Sequence, residues 1–360
     1  IKHTGYATPQ TSDLNLRDYA IGGLLDMLFT FCRMERGTIF FHYEALFPPS
    51  WDFRRAAICY AACLAVIRTI KESRVQGSNA KLVLHMYDAI KPGVKHYEAG
   101  AQASALYTQM LAESEGVVFS SYTTDFGDFV DNALQTKLPR VHCHRYQRIP
   151  EVRQKRLEGA YHIAIISVLL EEFWEPSRTG FKPYIAEMLA TGIHIHYYVG
   201  VSSRATAEVF RASLPKEDQT RFHLHDPIHS PHDLAYELSQ YHAGWSLFNM
   251  QIFNDMTTYL DDQFMKDAMG LFTPTTLPSV IWSCAAAGLP VICNRDMRGV
   301  VDMLPEGMSI PLTLSEIGNM KNILDNVDWA AVDNCDLSSL DIENQIFRLY
   351  DFMDTLHAKK

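Results

Sequence analysis

The chain has no long hydrophobic run. Its longest uncharged apolar stretch, 56–67, lies between Arg55 and Arg68 and is far short of the roughly 20 residues a membrane-spanning helix needs, so it reads as a buried helix. Residues 1–10 contain no apolar leader core, and because the chain starts at Ile1 rather than Met, removal of an upstream segment is the expectation. Cysteine is sparse: seven residues, with no C-x-x-C pair, and no N-x-S/T acceptor occurs anywhere. This excludes a disulfide-stapled secreted framework and points to reduced thiols in the cytoplasm. Also missing are G-x-G-x-x-G, G-x-x-x-x-G-K-[ST], G-x-S-x-G, H-E-x-x-H and D-x-D. Without them the chain lacks the signatures of dinucleotide oxidoreductases, P-loop NTPases, serine hydrolases and zinc proteases.

Positive charge is scarce overall, with 32 Lys+Arg against 42 Asp+Glu and a net charge of -10. The imbalance is uneven. Residues 1–158 hold 19 of the basic and 16 of the acidic residues, so the first part carries +3 and the remainder -13. An acidic half of that size argues against nucleic-acid binding. The basic excess gathers in 137–156, where seven cations face one acid, Glu151. Two readings stand: a solvated face, or a patch that meets an anionic acceptor or the inner face of a membrane, giving a cytoplasmic protein with peripheral contact.

What is present fits a globular protein, 47% hydrophobic and 21% charged. At 360 residues it exceeds one domain of roughly 100–200 residues, so two domains are expected. Short β-rich runs alternate with helical stretches, the pattern of an α/β protein with parallel sheets. In the first half the runs are GTIFFHYE (37–44), KLVLHMYD (81–88), GVVFSS (116–121) and RVHCHRY (140–146), separated by helices expected at 50–73, 98–112 and 125–134. Residues 1–20 offer no strong first strand. After a polar stretch at 147–158 the rhythm restarts with HIAIISVLL, GIHIHYYVGV, RFHLHDPI, AGWSLFN and LPVICN. Helices are expected at 183–190, 205–214, 231–241 and 279–287, and 250–274 reads as an irregular excursion. The spacing Ile342, Ile346, Leu349, Phe352, Met353, Leu356 predicts an amphipathic helix over 341–357. The fold class is therefore α/β with two Rossmann-like domains, at 1–150 and 151–340, and a terminal helix at 341–360.

Two constellations could carry chemistry. H-x-H occurs at His142/His144, His194/His196 and His223/His225. Alternate strand residues share a face, so each pair could bite a metal, yet no acid or Cys recurs at a matching spacing. The expectation is hydrogen-bonded sheet histidines and no metal. The second constellation is FTPTTLPSVIWSCAAAGLPVICN (272–294), where a Thr/Pro-rich loop runs into a helix. The unpaired amides at the head of that helix, near Ser279, can hold a diphosphate, with the hydroxyls of Thr275, Thr276 and Ser279 as further donors. An ordinary capped helix is the alternative.

The segment SCAAAGLPVICNRDMRGVVDMLPEGMSIPL (283–312) resembles the nucleotide-sugar-binding half of GT-B glycosyltransferases, in which a small-residue helix ending in GxPV is followed by a loop and a short strand. FHLHDPIHSPHDLAYELSQYHAGWSLFN (222–249) looks like the same family's preceding strand, helix and strand. LVLHMYDA, Glu98 and SEGVVFSS resemble its acceptor-domain pattern. The resemblance runs in order over 37–315. It implies two domains facing across a cleft, with the C-terminal helix crossing back to the first. The implied activity is metal-independent hexosyl transfer from a nucleotide-sugar to a hydroxyl of a carbohydrate, lipid-linked or protein acceptor, in polysaccharide or glycoconjugate synthesis. No cofactor is implied, the nucleotide-sugar being a substrate.

By the same resemblance Arg178 and Lys182 would meet the donor's phosphates, and His225 would open the loop that meets its base. Thr275 and Ser283 fall where retaining members of the largest related group carry two glutamates, a departure that puts that mechanism in doubt. His85, in a strand-end His-x-x-Asp, would face the donor sugar, and Asp88 or Glu44 would take the acceptor's proton if transfer is inverting. Two alternatives remain: a nucleotide-sugar epimerase of the same architecture, and a catalytically decayed glycosyltransferase-like partner subunit.

Overall fold

In a computed structural model of the protein the residues described are 32–41, 53–86, 97–144, 147–166, 182–199, 204–247 and 258–358. The expectations placed on 1–20, Glu44, Asp88 and Arg178 lie outside them. Among the described residues ten strands form two all-parallel sheets. The first has the order β1 (Arg36–Phe41), β2 (Asn79–Met86), β3 (Gly116–Phe119), β4 (Arg140–His142), linked by helices α1 (Phe53–Glu72), α2 (Gly100–Glu113) and α3 (Thr124–Leu134). The second runs β10-β9-β8-β5-β6-β7, with β5 at His162–Ile165, β6 at His194–Tyr198, β7 at Phe222–His225, β8 at Ala243–Ser246, β9 at Val291–Asn294 and β10 at Ser309–Leu312. Counted from its own first strand this is the doubly wound order 3-2-1-4-5-6, and the winding reverses between β5 and β8. Ligands of such sheets gather beyond the carboxyl ends of the strands at that reversal.

The strands read as apolar runs because helices cover both faces; β3, β5, β8 and β9 are buried at every position. α1 presents Phe53, Ala57, Tyr60, Leu64 and Ile67 at helical spacing. Tyr60 meets Tyr107 of α2 edge-on, with 5.4 Å between ring centres. In the second half α4 (Lys182–Ala190), α5 (Arg204–Ser213), α6 (Pro231–Leu238), α7 (Gln263–Thr275), α8 (Ser279–Ala286) and α9 (Arg298–Met303) link the strands. Gly244 lets α8 lie close on β8: a Cβ there would collide with the Cys284 Sγ.

Two local expectations differ from the structure. Most of the latter part of the 250–274 excursion is helical. Asp262 Oδ1 accepts the amide of Met265 at 2.8 Å and starts α7, while Pro274 stands in its last turn, where little helix remains to be broken. Met265 and Ala268 enter the first half's core, and Phe264 stacks on Phe129 at 5.1 Å. The terminal helix α10 (Ile342–Ala358) crosses back to the first sheet, where Phe352 and Leu356 pack on Val83 and Val118. Only that end of its apolar stripe is covered. Gln345 is buried instead, donating to Ser339 O at 2.6 Å, while Ile342 and Ile346 stay about 40% exposed.

Candidate active site

The carboxyl ends of the first sheet's central strands meet the second half directly. His85 is the penultimate residue of β2, half-buried, and its Nε2 hydrogen-bonds Ser120 Oγ at 2.5 Å just beyond β3. The next three residues form the seam. Ser121 O accepts the amide of Leu277 at 2.7 Å, Tyr122 bridges Thr276 in antiparallel fashion, and Thr123 donates to Thr275 O at 3.0 Å. The joint between α7 and α8 is therefore paired as a strand with the segment leaving β3. Gly299 closes it from below, because a Cβ there would press on Thr123 Cγ2 at 2.6 Å and Pro274 O at 3.0 Å.

Two histidines, one ending β4 and one just beyond it, brace the seam. His142 Nδ1 donates to Tyr122 O at 3.0 Å, so in the neutral ring Nε2 is the acceptor, and it is buried with no hydrogen-bond partner. Burial pushes its pKa down. His144, 7% exposed, lies flat on Trp282 of α8 with ring centres 5.4 Å apart, and burial lowers its pKa to about 4, so the stack is neutral on neutral near pH 7. His144 and Ser120 carry no role in the sequence reading. The H-x-H spacing marked His144 only as one arm of a metal pair, and Ser120 only as the end of a strand. Their positions depend on which half they meet, which spacing does not encode.

The residues expected to hold a donor fall in two groups. Thr275 is 1% exposed, and its hydroxyl donates to Leu271 O at 2.6 Å within α7. Thr276 is 9% exposed on the seam, and Ser283 is buried, accepting from Gln147 Nε2 at 2.8 Å. Ser279 is exposed at the head of α8, where Pro278 stands at the cap. Lys182 heads α4, which follows β5, next to β8 in the sheet. Ser246 closes β8 and shares a face with Gly244 two residues earlier; its hydroxyl is buried and makes no hydrogen bond. His225 ends β7, two strands and about 10 Å from β5. It stacks on Tyr198 at 4.7 Å, and burial depresses its pKa. The structure thus brings His85, the seam and the head of α8 to one junction, with Lys182 and His225 along the same carboxyl edge.

Among solved structures, the chain is similar to the apo form of the lipopolysaccharide outer core galactosyltransferase WaaB. The TM-score is 0.52 at 9% identity, over 94% of this chain and 80% of that one. The fold is GT-B. Weaker likenesses run to TarM (TM-score 0.45, 11% identity, 82% of this chain and 58% of that one) and to an α,α-trehalose-phosphate synthase (UDP-forming) from Burkholderia xenovorans in complex with glucose-6-phosphate (0.48, 9%, 95% and 77%). The chain thus spans less than two thirds of the length of TarM. No family model and no curated protein sequence matches it. Among the described residues, no helix is long and apolar enough to cross a membrane, and no group of three His, Cys, Asp or Glu could hold a metal ion.

Proposed function

We propose that this chain transfers a sugar from a nucleotide-sugar to an acceptor hydroxyl, in polysaccharide or glycoconjugate synthesis, with hexosyl transfer the leading case and no metal required. The observation that carries the reading is the junction itself: within the GT-B fold the strand-end His85, bonded to Ser120, stands beside the seam that leads into the head of α8. The diphosphate would sit at the first amides of α8, where the helix dipole favours negative charge. Lys182, one strand over, and Arg178 would supply cations to the leaving group, and the unspent hydroxyl of Ser246 is a donor on the same face of the sheet. The nucleobase would lie along the edge toward His225. On the acceptor side His85, steadied by Ser120, would bond a sugar hydroxyl, and Asp88 or Glu44 would act as base. WaaB is a lipopolysaccharide outer core galactosyltransferase, which makes a glycolipid acceptor a concrete case to try first.

A second reading has its own support. At the two positions where related retaining enzymes carry glutamates, Thr275 and Ser283 are buried and hydrogen-bonded within the protein, as a non-catalytic partner subunit would tolerate. Membrane contact through 137–156 draws less: Arg140 pairs with Asp128 and Asp131, Arg156 with Asp333 at 2.7 Å, Lys155 with Glu158, and Arg148 approaches Glu343 at 3.8 Å. Those pairs favour an intramolecular role.

The test is a thermal-shift screen with UDP, ADP, GDP and CDP, followed by an assay of nucleotide release from the matching sugar donors. A nucleotide at 100 times its dissociation constant should stabilise the fold by about 2.7 kcal/mol. Binding without donor hydrolysis or transfer would select the partner-subunit reading. Release of an unsaturated sugar or a C2 epimer would identify the epimerase. No shift with any nucleotide sinks the donor site.

A further inference from the structure

Six imidazoles crowd one face of the outer half of the second sheet. His162 on β5, His194 and His196 on β6 and His223 and His225 on β7 share that face by register, and His242 closes it just before β8. They bond to one another. His162 Nδ1 meets His196 Nε2 at 2.8 Å, His196 Nδ1 meets His225 Nε2 at 3.0 Å, and His194 Nδ1 meets His223 Nε2 at 3.0 Å. The amide of His162 donates to His242 Nδ1 at 3.1 Å, which fixes that nitrogen as unprotonated.

Each ring-to-ring bond needs one N–H and one lone pair, and an imidazolium has no lone pair. His196 is bonded at both nitrogens, so it can carry a second proton only by donating to His162 and His225 at once. Along the chain His162–His196–His225 one ring at most can take a second proton without breaking a bond, because two cations would leave one ring-to-ring contact with no lone pair. The rings are also close, with centres 4.4 Å apart for His196 and His223 and 4.6 Å for His162 and His194, so two charges would repel. The surroundings offer little relief. Arg221 faces His194, Arg204 faces His225 and Arg156 faces His242. The acids within reach are engaged: Asp226 with Arg204 at 2.9 Å, Asp333 with Arg156, Asp218 with Arg221 at 2.7 Å, and Glu237 of α6 with the Tyr198 hydroxyl at 3.2 Å. Tyr198 and Tyr241, which cover the rings, are hydrogen-bonded to each other at 2.7 Å.

We propose that this face is an acid-operated latch on the outer strands of the second sheet: with every ring neutral it ties β6 and β7 to β5, and protonation frees β7 together with the loop that follows it. The direction is set by the folded state resisting the proton. Burial lowers His162 and His242 to about 4 and His196 to about 2, against 6.5 for the free side chain, and lowers His194, His223 and His225 as well. Between pH 6.5 and about 4 the opened state binds protons that the closed state refuses. The closed form therefore loses about a factor of ten per pH unit for each such ring, a loss absent above pH 7.

The experiment is amide hydrogen exchange on the intact chain at pH 7.5, 6.0 and 5.0, corrected for intrinsic exchange rates. Peptides covering 194–198 and 222–225 should lose at least tenfold more protection at pH 5.0 than those covering 243–246 and 291–294. A second measurement compares the pH slope of the thermal midpoint in the parent and in His223→Gln, whose ring is half-buried; the variant's slope should be shallower. Equal loss of protection across the whole sheet, or parallel slopes in parent and variant, would overturn the latch.

Discussion

His85 and Ser120 are the smallest unit from which activity can be argued. His85 is a half-buried imidazole at a strand end, joined to a hydroxyl by a short hydrogen bond. On the transferase reading, His85→Ala should lower turnover by a factor on the order of 10² or more while KM and the thermal midpoint barely move, the signature of a group acting in the transition state. Ser120→Ala keeps the ring but releases it, and a loss of about tenfold is expected from one hydrogen bond. A His85→Ala enzyme that turns over normally would return both residues to a structural role. On the same reading Lys182 answers to binding rather than rate. Lys182→Ala should weaken a nucleoside diphosphate by about 1.5 to 3 kcal/mol, measured by calorimetric titration; unchanged affinity would remove Lys182 from the phosphate site.

At the scale of elements, the placing of α8 decides whether the junction exists. Gly244 and Cys284 set its distance from β8, and Arg153 closes over Gly288, whose φ of +72° suits glycine at the helix's exit. Gly244→Val should cost about 1 to 3 kcal/mol by overpacking and should also weaken nucleotide binding by tilting α8, whereas a surface change such as Ser213→Ala should do neither. Urea unfolding and nucleotide titration of the same samples separate the two effects. These elements show how far the sequence could be read. The strands were legible because parallel strands buried on both faces are continuous apolar runs, and α8 because small residues ending in Gly-Leu-Pro mark a helix lying on a sheet. α7 was not, because Gly270 and Pro274 look like breakers until its partners in the first half are known. The same holds for the candidate site. His85 and the head of α8 follow from local pattern, whereas the burial of Thr275, the pairing of Ser283 with Gln147 and the contact of His144 with Trp282 arise only between distant segments.

Among the described residues the two halves are tied by the seam at 121–123 and 275–277, by α7 in the first half's core, by α10 returning to the first sheet and by the stack of His144 on Trp282. Leu356, 4% exposed against Val83 and Val118, should cost about 2 to 5 kcal/mol when cut to Ala. The thermal midpoint should fall while the second sheet alone keeps its hydrogen-exchange protection. Uniform loss in both sheets would mean that they unfold as a single cooperative unit. One of these connections can also be watched optically. Trp282 belongs to the second half, and the ring that shields it, His144, belongs to the first. If the halves separate, the indole's face is handed from an imidazole to water and its emission moves to longer wavelength. A chain retaining tryptophan only at Trp282 would therefore carry a built-in gauge of the gap between the halves, one that needs no dye and reports their parting in real time.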